Sequence, residues 1–280
     1  MPEYLLVTTF NGSGYEQYGR KMLDSFLAHW PDTQRILVYI EGTTLDTNHM
    51  NNNRIMVRNL NHVEKLTEFK ARHRDNPPAN GFHPVGSTIR NYRFDAVRFS
   101  HKVFALWHAQ ANMPTGASSM VWLDADTLTH SDVPEDFLTR IAPETFNKTG
   151  IGGPYGISYL GRSRYYTECG FVSYNLRHPS MGSFWEMFVG LYNNDGLFTL
   201  QEWHDSFIFD HCRRIFENRG MINHNITPRI INGHPFINSE LGLYMDHLKG
   251  ARKRRGRSEK NERTVKSLVK ADRKSTRLNS

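Results

Sequence analysis

Met120-Val121-Trp122-Leu123-Asp124-Ala125-Asp126 is the stretch on which the reading of this chain turns. The residues leading into it, 119–123, form a short apolar run and read as a buried strand. The strand delivers two carboxylates, one residue apart, at its C-terminal end, where ligands bind in open α/β sheets. Alternate residues of an extended chain point the same way, so Asp124 and Asp126 can face one ion. Carboxylates brought together repel unless a cation compensates. Their hard oxygen ligands suit Mn2+ or Mg2+. The plainer reading is a turn in which Asp126 caps the next segment.

Upstream of this strand, the pattern alternates. Residues 4–10 form a strand-like run broken by Asn11-Gly12-Ser13-Gly14. Residues 16–30 read as a helix with Met22, Leu23, Phe26 and Leu27 on one face, stopped by Pro31. Strands follow at 35–40 and 54–60, then a loop with three prolines at 75–87 and a long helix at 89–111. This order predicts an α/β fold with a mostly parallel sheet and crossover helices. Downstream, a strand is expected at 171–174, helices at 183–192 and 205–217, and a loop at 230–241. With no repeat and no clear linker, one domain over 1–256 is expected, followed by a basic flexible tail at 257–280.

Of the 280 residues, 12% are aromatic, which argues against general disorder. The net charge of +7 comes from the tail. Residues 251–280 hold 12 Lys or Arg and 3 Asp or Glu, leaving 23 basic and 25 acidic side chains in the rest. The folded body therefore has no basic excess for nucleic acid, which is expected as a partner only through the tail. Residues 272–280 look like the translation of a sequencing-library adaptor and are set aside. No apolar run is long enough for a membrane span, and no signal peptide is read at the N-terminus. Cys169 and Cys212 read as two buried free thiols, and a reducing, cytoplasmic setting is expected.

Taken with the αβ structure before it, the Asp124-Ala125-Asp126 segment resembles the Asp-x-Asp motif of GT-A glycosyltransferases. There the carboxylates hold a divalent ion that bridges the diphosphate of a nucleotide sugar. The run 94–106 is similar to that family's preceding helix, on which Arg98 and Lys102, four apart, share one face and can reach donor phosphates or the carboxylates. His247-Leu248-Lys249-Gly250-Ala251-Arg252-Lys253 resembles the His-x-x-Gly-x-x-Lys motif of family 8. That resemblance implies His247 as third metal ligand, Gly250 as a place of close approach for the diphosphate, and Lys253 as its countercharge. The family pattern continues with Pro-Trp, where this chain has Arg254-Arg255. Glu168-Cys169-Gly170-Phe171-Val172-Ser173-Tyr174-Asn175 resembles the acceptor-side strand, and Glu202-Trp203-His204-Asp205-Ser206 the segment with an acidic residue near the transferred sugar. Asp205 is the candidate for contacting donor hydroxyls or, in an inverting enzyme, for acting as base; alternatively it caps the following helix. Thr8, Thr9 and Phe10, at the end of the first strand, are expected to flank the donor base and ribose.

The resemblance implies a GT-A, Rossmann-like fold and transfer of a hexose from a nucleotide-diphosphate sugar to a glycan, protein or other acceptor, with retention favoured. Leu123-Asp124-Ala125-Asp126-Thr127-Leu128 also fits the nucleophile motif of haloacid-dehalogenase-type phosphatases, with Lys148 and the Asp205/Asp210 pair in a compatible order. In that family, however, the nucleophile strand comes first in the chain. Sugar-nucleotide pyrophosphorylases share the fold but open with a cationic Gly-rich signature, which residues 8–14 lack. A non-catalytic nucleotide-sugar or nucleic-acid binder is the remaining alternative. On nucleic acid it would show salt-dependent binding that survives loss of Asp124 and Asp126.

Overall fold

The computed structural model describes residues 4–114, 116–148, 151–162, 165–228, 233–250 and 252–258, the side chains of Lys148 and Arg254 excepted. Nearly all of the expected tail, and residues 230–232 of the expected loop, lie outside the described residues.

A seven-stranded sheet carries the fold, in the order β10-β8-β9-β4-β1-β2-β3. Strands β1 (Tyr4–Asn11), β2 (Arg35–Glu41), β3 (Ile55–Asn59) and β4 (Ser119–Leu123) form its parallel half. Strand β9 (Glu168–Asn175) pairs antiparallel with both β4 and β8 (Ile157–Leu160), and β10 (His224–Asn225) closes the edge parallel to β8. Two pairs of short strands stand apart from this sheet: β5 (Thr127–Thr129) with β11 (Met245–His247), and β6 (Thr145–Lys148) with β7 (Ile151–Pro154).

Helices cover both faces, as a largely parallel sheet requires. Side chains alternate accordingly. Leu5, Val7, Met120 and Trp122 enter one core with Phe104, Phe184 and Phe209. Tyr4, Leu6, Val121 and Leu123 enter the other with Met22, Leu23 and Phe26. Each fully buried large apolar side chain contributes roughly 1.5–3 kcal/mol from the area it removes from water.

Helix α1 (Arg20–His29) continues from a turn at Gly12–Gly14 and a π-helical segment at Tyr15–Gly19, so it begins earlier than its periodicity suggests. The Asn11 side chain caps this start by accepting from Gly14 N at 2.9 Å. Helices α2 (Glu64–Arg72), α3 (Ala96–Ala111), α4 (Met181–Asn193) and α5 (Asp205–Asn218) follow. The expected helix at 89–111 is shorter. Its first residues form a separate 3-10 turn, Tyr92–Phe94, capped by Asn91. Strand β9 is longer than expected: β4 pairs with it from Phe171 to Asn175, and pairing of Leu160 in β8 with Glu168 extends its start. Cys169 and Cys212 are buried and unpaired. Among the described residues, no helix is long and apolar enough to cross a membrane.

Candidate metal and donor site

Asp124 is the first residue beyond β4. Its backbone N–H donates to Gly170 O at 3.0 Å, and Thr127 N donates back to Asp124 O at 3.0 Å, so the chain turns immediately after leaving the strand. Alternation puts Asp124 on the Trp122 face, and Trp122 Nε1 donates to Asp124 Oδ1 at 2.5 Å. The turn feeds β5, whose antiparallel partner β11 sets His247 opposite Thr127. Leu248 N donates to Asp126 O at 2.8 Å and extends this register.

His247 is therefore delivered to the carboxylate pair by backbone pairing. Its Nε2 lies 3.0 Å from Asp126 Oδ1 and 3.4 Å from Asp124 Oδ2, and the residue is fully buried. Ligating atoms of Asp124, Asp126 and His247 all lie within 4.8 Å of one another. Gly250, at φ +62, takes a left-handed conformation that a side chain would strain. The turn there brings Lys253 back over the site, with Nζ 3.0 Å from Asp126 Oδ2 and 4.2 Å from the Tyr18 ring.

On the other side, α3 lowers Lys102 to the cleft floor. Its ammonium lies 2.9 Å from Asp205 Oδ2 and 3.5 Å from Asp124 Oδ1, and it also donates to the Cys169 carbonyl. Burial opposes its charge, but Asp124 and Asp205 outweigh that cost and its pKa is raised. Burial likewise opposes ionisation of Asp124, and Lys102 with His247 reverses this and lowers its pKa. For His247, burial disfavours the imidazolium, yet Asp126 and Asp124 raise its pKa to about 9.

Two carboxylates and an imidazole at the edge of a cleft are a donor set that fits Mn2+ or Mg2+. The cationic groups drawn to the pair show how strongly this corner favours positive charge. A second group with atoms within 4.8 Å of one another, Glu168, His234 and His247, adjoins the first and shares its imidazole. Glu168 is buried, with Lys249 Nζ at 3.1 Å and His234 Nε2 at 3.2 Å. Burial works against its charge, but His234 and Lys249 hold its pKa well below the usual carboxylate range.

The site opens into a cleft of about 650 Å³. Thr9, Phe10, Arg98, Lys102, Gly250 and Lys253 line it, as do Asp124, Asp126 and Asp205. His247 stands behind the carboxylates rather than on the wall. Thr8 departs from expectation. It is fully buried within β1, three residues before the strand ends, and it does not line the cleft. Asp205 occupies the first turn of α5, where its negative charge also suits the helix dipole.

Of the phosphatase reading, the Lys148 side chain lies outside the described residues, and Asp205 and Asp210 do not share the cleft. Asp210 accepts from Thr167 N and Oγ1 and from Arg213, away from the main cleft. Glu168, His234, Glu202 and His204 had no individual role expected from sequence, although Glu168, Glu202 and His204 lie in segments that carry the family resemblance. For His204, adjacency to Asp205 was the available signal.

The sequence matches no protein-family model and no curated protein sequence. The fold is similar to three solved glycosyltransferase structures. Mouse xyloside xylosyltransferase 1, apo form, aligns at 12% identity over 79% of this chain and 84% of that one, with a TM-score of 0.46. The apo structure of the bifunctional WbbM aligns at 10% identity over 88% of this chain and 46% of that one, with a TM-score of 0.47. An active-site mutant of LgtC aligns at 16% identity over 74% and 69%, with a TM-score of 0.43.

Proposed function

We propose that this protein is a metal-dependent glycosyltransferase that moves a sugar from a nucleoside-diphosphate donor to an acceptor hydroxyl. The observation that carries the reading is the meeting of Asp124, Asp126 and His247 at a cleft edged by Arg98, Lys102, Lys249 and Lys253. Carboxylates beside several cations suit a ligand that is itself an anion bound through a cation, such as a metal diphosphate.

In this reading, Asp124, Asp126 and His247 hold Mn2+ or Mg2+. When bound, the ion supplies charge stabilisation to the departing diphosphate. Lys253 and Lys249 attract the diphosphate oxygens, and Gly250 leaves room for them. Thr9 and Phe10 flank the base and ribose, and Arg98 reaches toward phosphate. Asp205, held by Lys102, faces the sugar hydroxyls. Residues 1–256 form the catalytic domain, and a cytoplasmic location suits the two free thiols.

The test is a thermal-shift screen of UDP-, GDP-, CMP- and dTDP-sugars with and without Mn2+. The expected result is a melting temperature raised by one donor class, more with the ion than without it. No stabilisation by any nucleotide would overturn the reading.

A further inference from the structure

Beside Asp205 lies a second pair of functional groups that the metal and donor assignments leave unused. His204 lines the cleft and is only 5% exposed. Its Nε2 lies 2.9 Å from Glu202 Oε2. A carboxylate only accepts, so Nε2 carries the proton and Nδ1 keeps its lone pair. Glu202 is itself pinned, since Oε1 accepts from Arg93 NH1 at 3.0 Å and from Tyr166 OH at 3.2 Å. The imidazole is packed by the rings of Tyr92, Phe99, Tyr166 and Phe207. Its orientation is therefore fixed from both sides. Nδ1 faces Asp205 Oδ1 across 4.0 Å, too far for a hydrogen bond.

Asp205, by contrast, has Oδ2 engaged with the buried ammonium of Lys102 at 2.9 Å. The two neighbours thus differ in what they can still accept. An imidazole with one nitrogen held by a carboxylate and the other open has a lone pair free to take a proton.

We propose that His204, held by Glu202, is the general base that takes the proton of the attacking acceptor hydroxyl. The inference rests on the glycosyl-transfer reading and adds to it the route of the proton. The acceptor oxygen forms a bond to the anomeric carbon as the bond from that carbon to the diphosphate breaks. The hydroxyl proton passes to His204 Nδ1, and the nucleoside diphosphate leaves with the bonding electron pair. Direct displacement of the diphosphate by the acceptor oxygen inverts the anomer, in contrast to the retention that the family 8 resemblance implies. Glu202 is a positioning residue, fixing the tautomer and the ring. The charged and titratable groups around His204 are Glu202 and Asp205, with Tyr92 and Tyr166 against its ring; Arg93 and Lys102 act through the two carboxylates.

The experiment uses the full chain with Mn2+ and the donor picked out by thermal shift, with water as acceptor. Donor binding and nucleoside-diphosphate release are measured for wild type, His204→Gln and Glu202→Gln. The expected result is donor affinity within about twofold of wild type in both variants. Release should fall on the order of 10²–10⁴-fold in His204→Gln, and the acidic limb of its kcat/KM profile should vanish. In Glu202→Gln the limb should persist but shift. Early NMR spectra of the released sugar should show the inverted anomer. Wild-type-like release by His204→Gln, an unchanged acidic limb, or a retained anomer would overturn the base while leaving the donor reading standing. A wild type that binds and cleaves no donor would overturn both.

Discussion

His247 Nε2 lies 3.0 Å from Asp126 Oδ1, although the two residues are 121 positions apart in the chain. The contact is set by the β5–β11 pairing, which places His247 opposite Thr127, one residue past Asp126. Backbone hydrogen bonds hold the imidazole at the carboxylates whatever the side chains themselves prefer, and this rigidity makes the cluster testable by substitution.

Replacing Asp126 with alanine should abolish metal-dependent donor binding while leaving the protein folded. The change removes one of two crowded carboxylates, which offsets part of the loss of its contacts to His247 and Lys253. Mn2+ titration should show an affinity loss larger than the roughly 10–100-fold typical of outer-layer partners. Unchanged Mn2+ affinity would count against the three-ligand assignment.

Gly170→Ala tests the same cluster from β9. An added Cβ would meet His247 Cε1 at 2.7 Å and Nδ1 at 3.0 Å. His247 is fully buried and has little room to retreat. A stability loss of about 1–3 kcal/mol is expected, the range for overpacking a tight interior, together with weaker Mn2+ binding. A melting temperature equal to wild type would show that the imidazole moves freely.

Lys102→Met should destabilise the fold strongly, by about 3–5 kcal/mol, because Asp124 and Asp205 lose the cation between them. Denaturant unfolding measures this directly. Mn2+ should stabilise the variant more than it stabilises wild type, since an ion would replace positive charge beside Asp124. Equal stabilisation of both proteins would mean that the ion and Lys102 do not share a carboxylate.

Glu41, at the end of β2, contributes a pH dependence of defined sign. Its hydrogen bond to His101 is the largest influence, burial opposes ionisation, and Lys70 reinforces the anion, so its pKa falls from the usual 4.5 to about 2. A carboxylate with a depressed folded-state pKa stabilises the fold above its unfolded pKa, and that contribution is lost as pH falls through the folded value. Glu41→Gln should therefore melt below wild type near neutrality, and the gap should close as pH drops from about 5 toward about 2. A gap that does not change with pH would assign the loss to packing alone.

The sequence by itself determined the parts that depend on local periodicity. Residues 119–123 were legible as a buried strand because burial on both faces leaves a continuous apolar run, and 205–217 as a helix because burial on one face leaves a repeat that can be read without knowing the neighbour. The end of that strand marked Asp124 and Asp126, and the resemblance of residues 247–253 to the family 8 motif implied His247, Gly250 and Lys253. Periodicity also misled where local capping intervened, as when Asn91 isolated a 3-10 turn from the helix beginning at Ala96. Only the tertiary structure decided that β5 pairs with β11, that Lys102 bridges Asp124 and Asp205, that Thr8 is sealed inside the sheet, and that Glu202 fixes His204. These relations join elements tens to more than a hundred residues apart or, like Glu202 and His204, depend on side-chain directions in an irregular segment. Such contacts leave no periodic trace in the chain, since they are set by how sheet, helices and loops pack against one another.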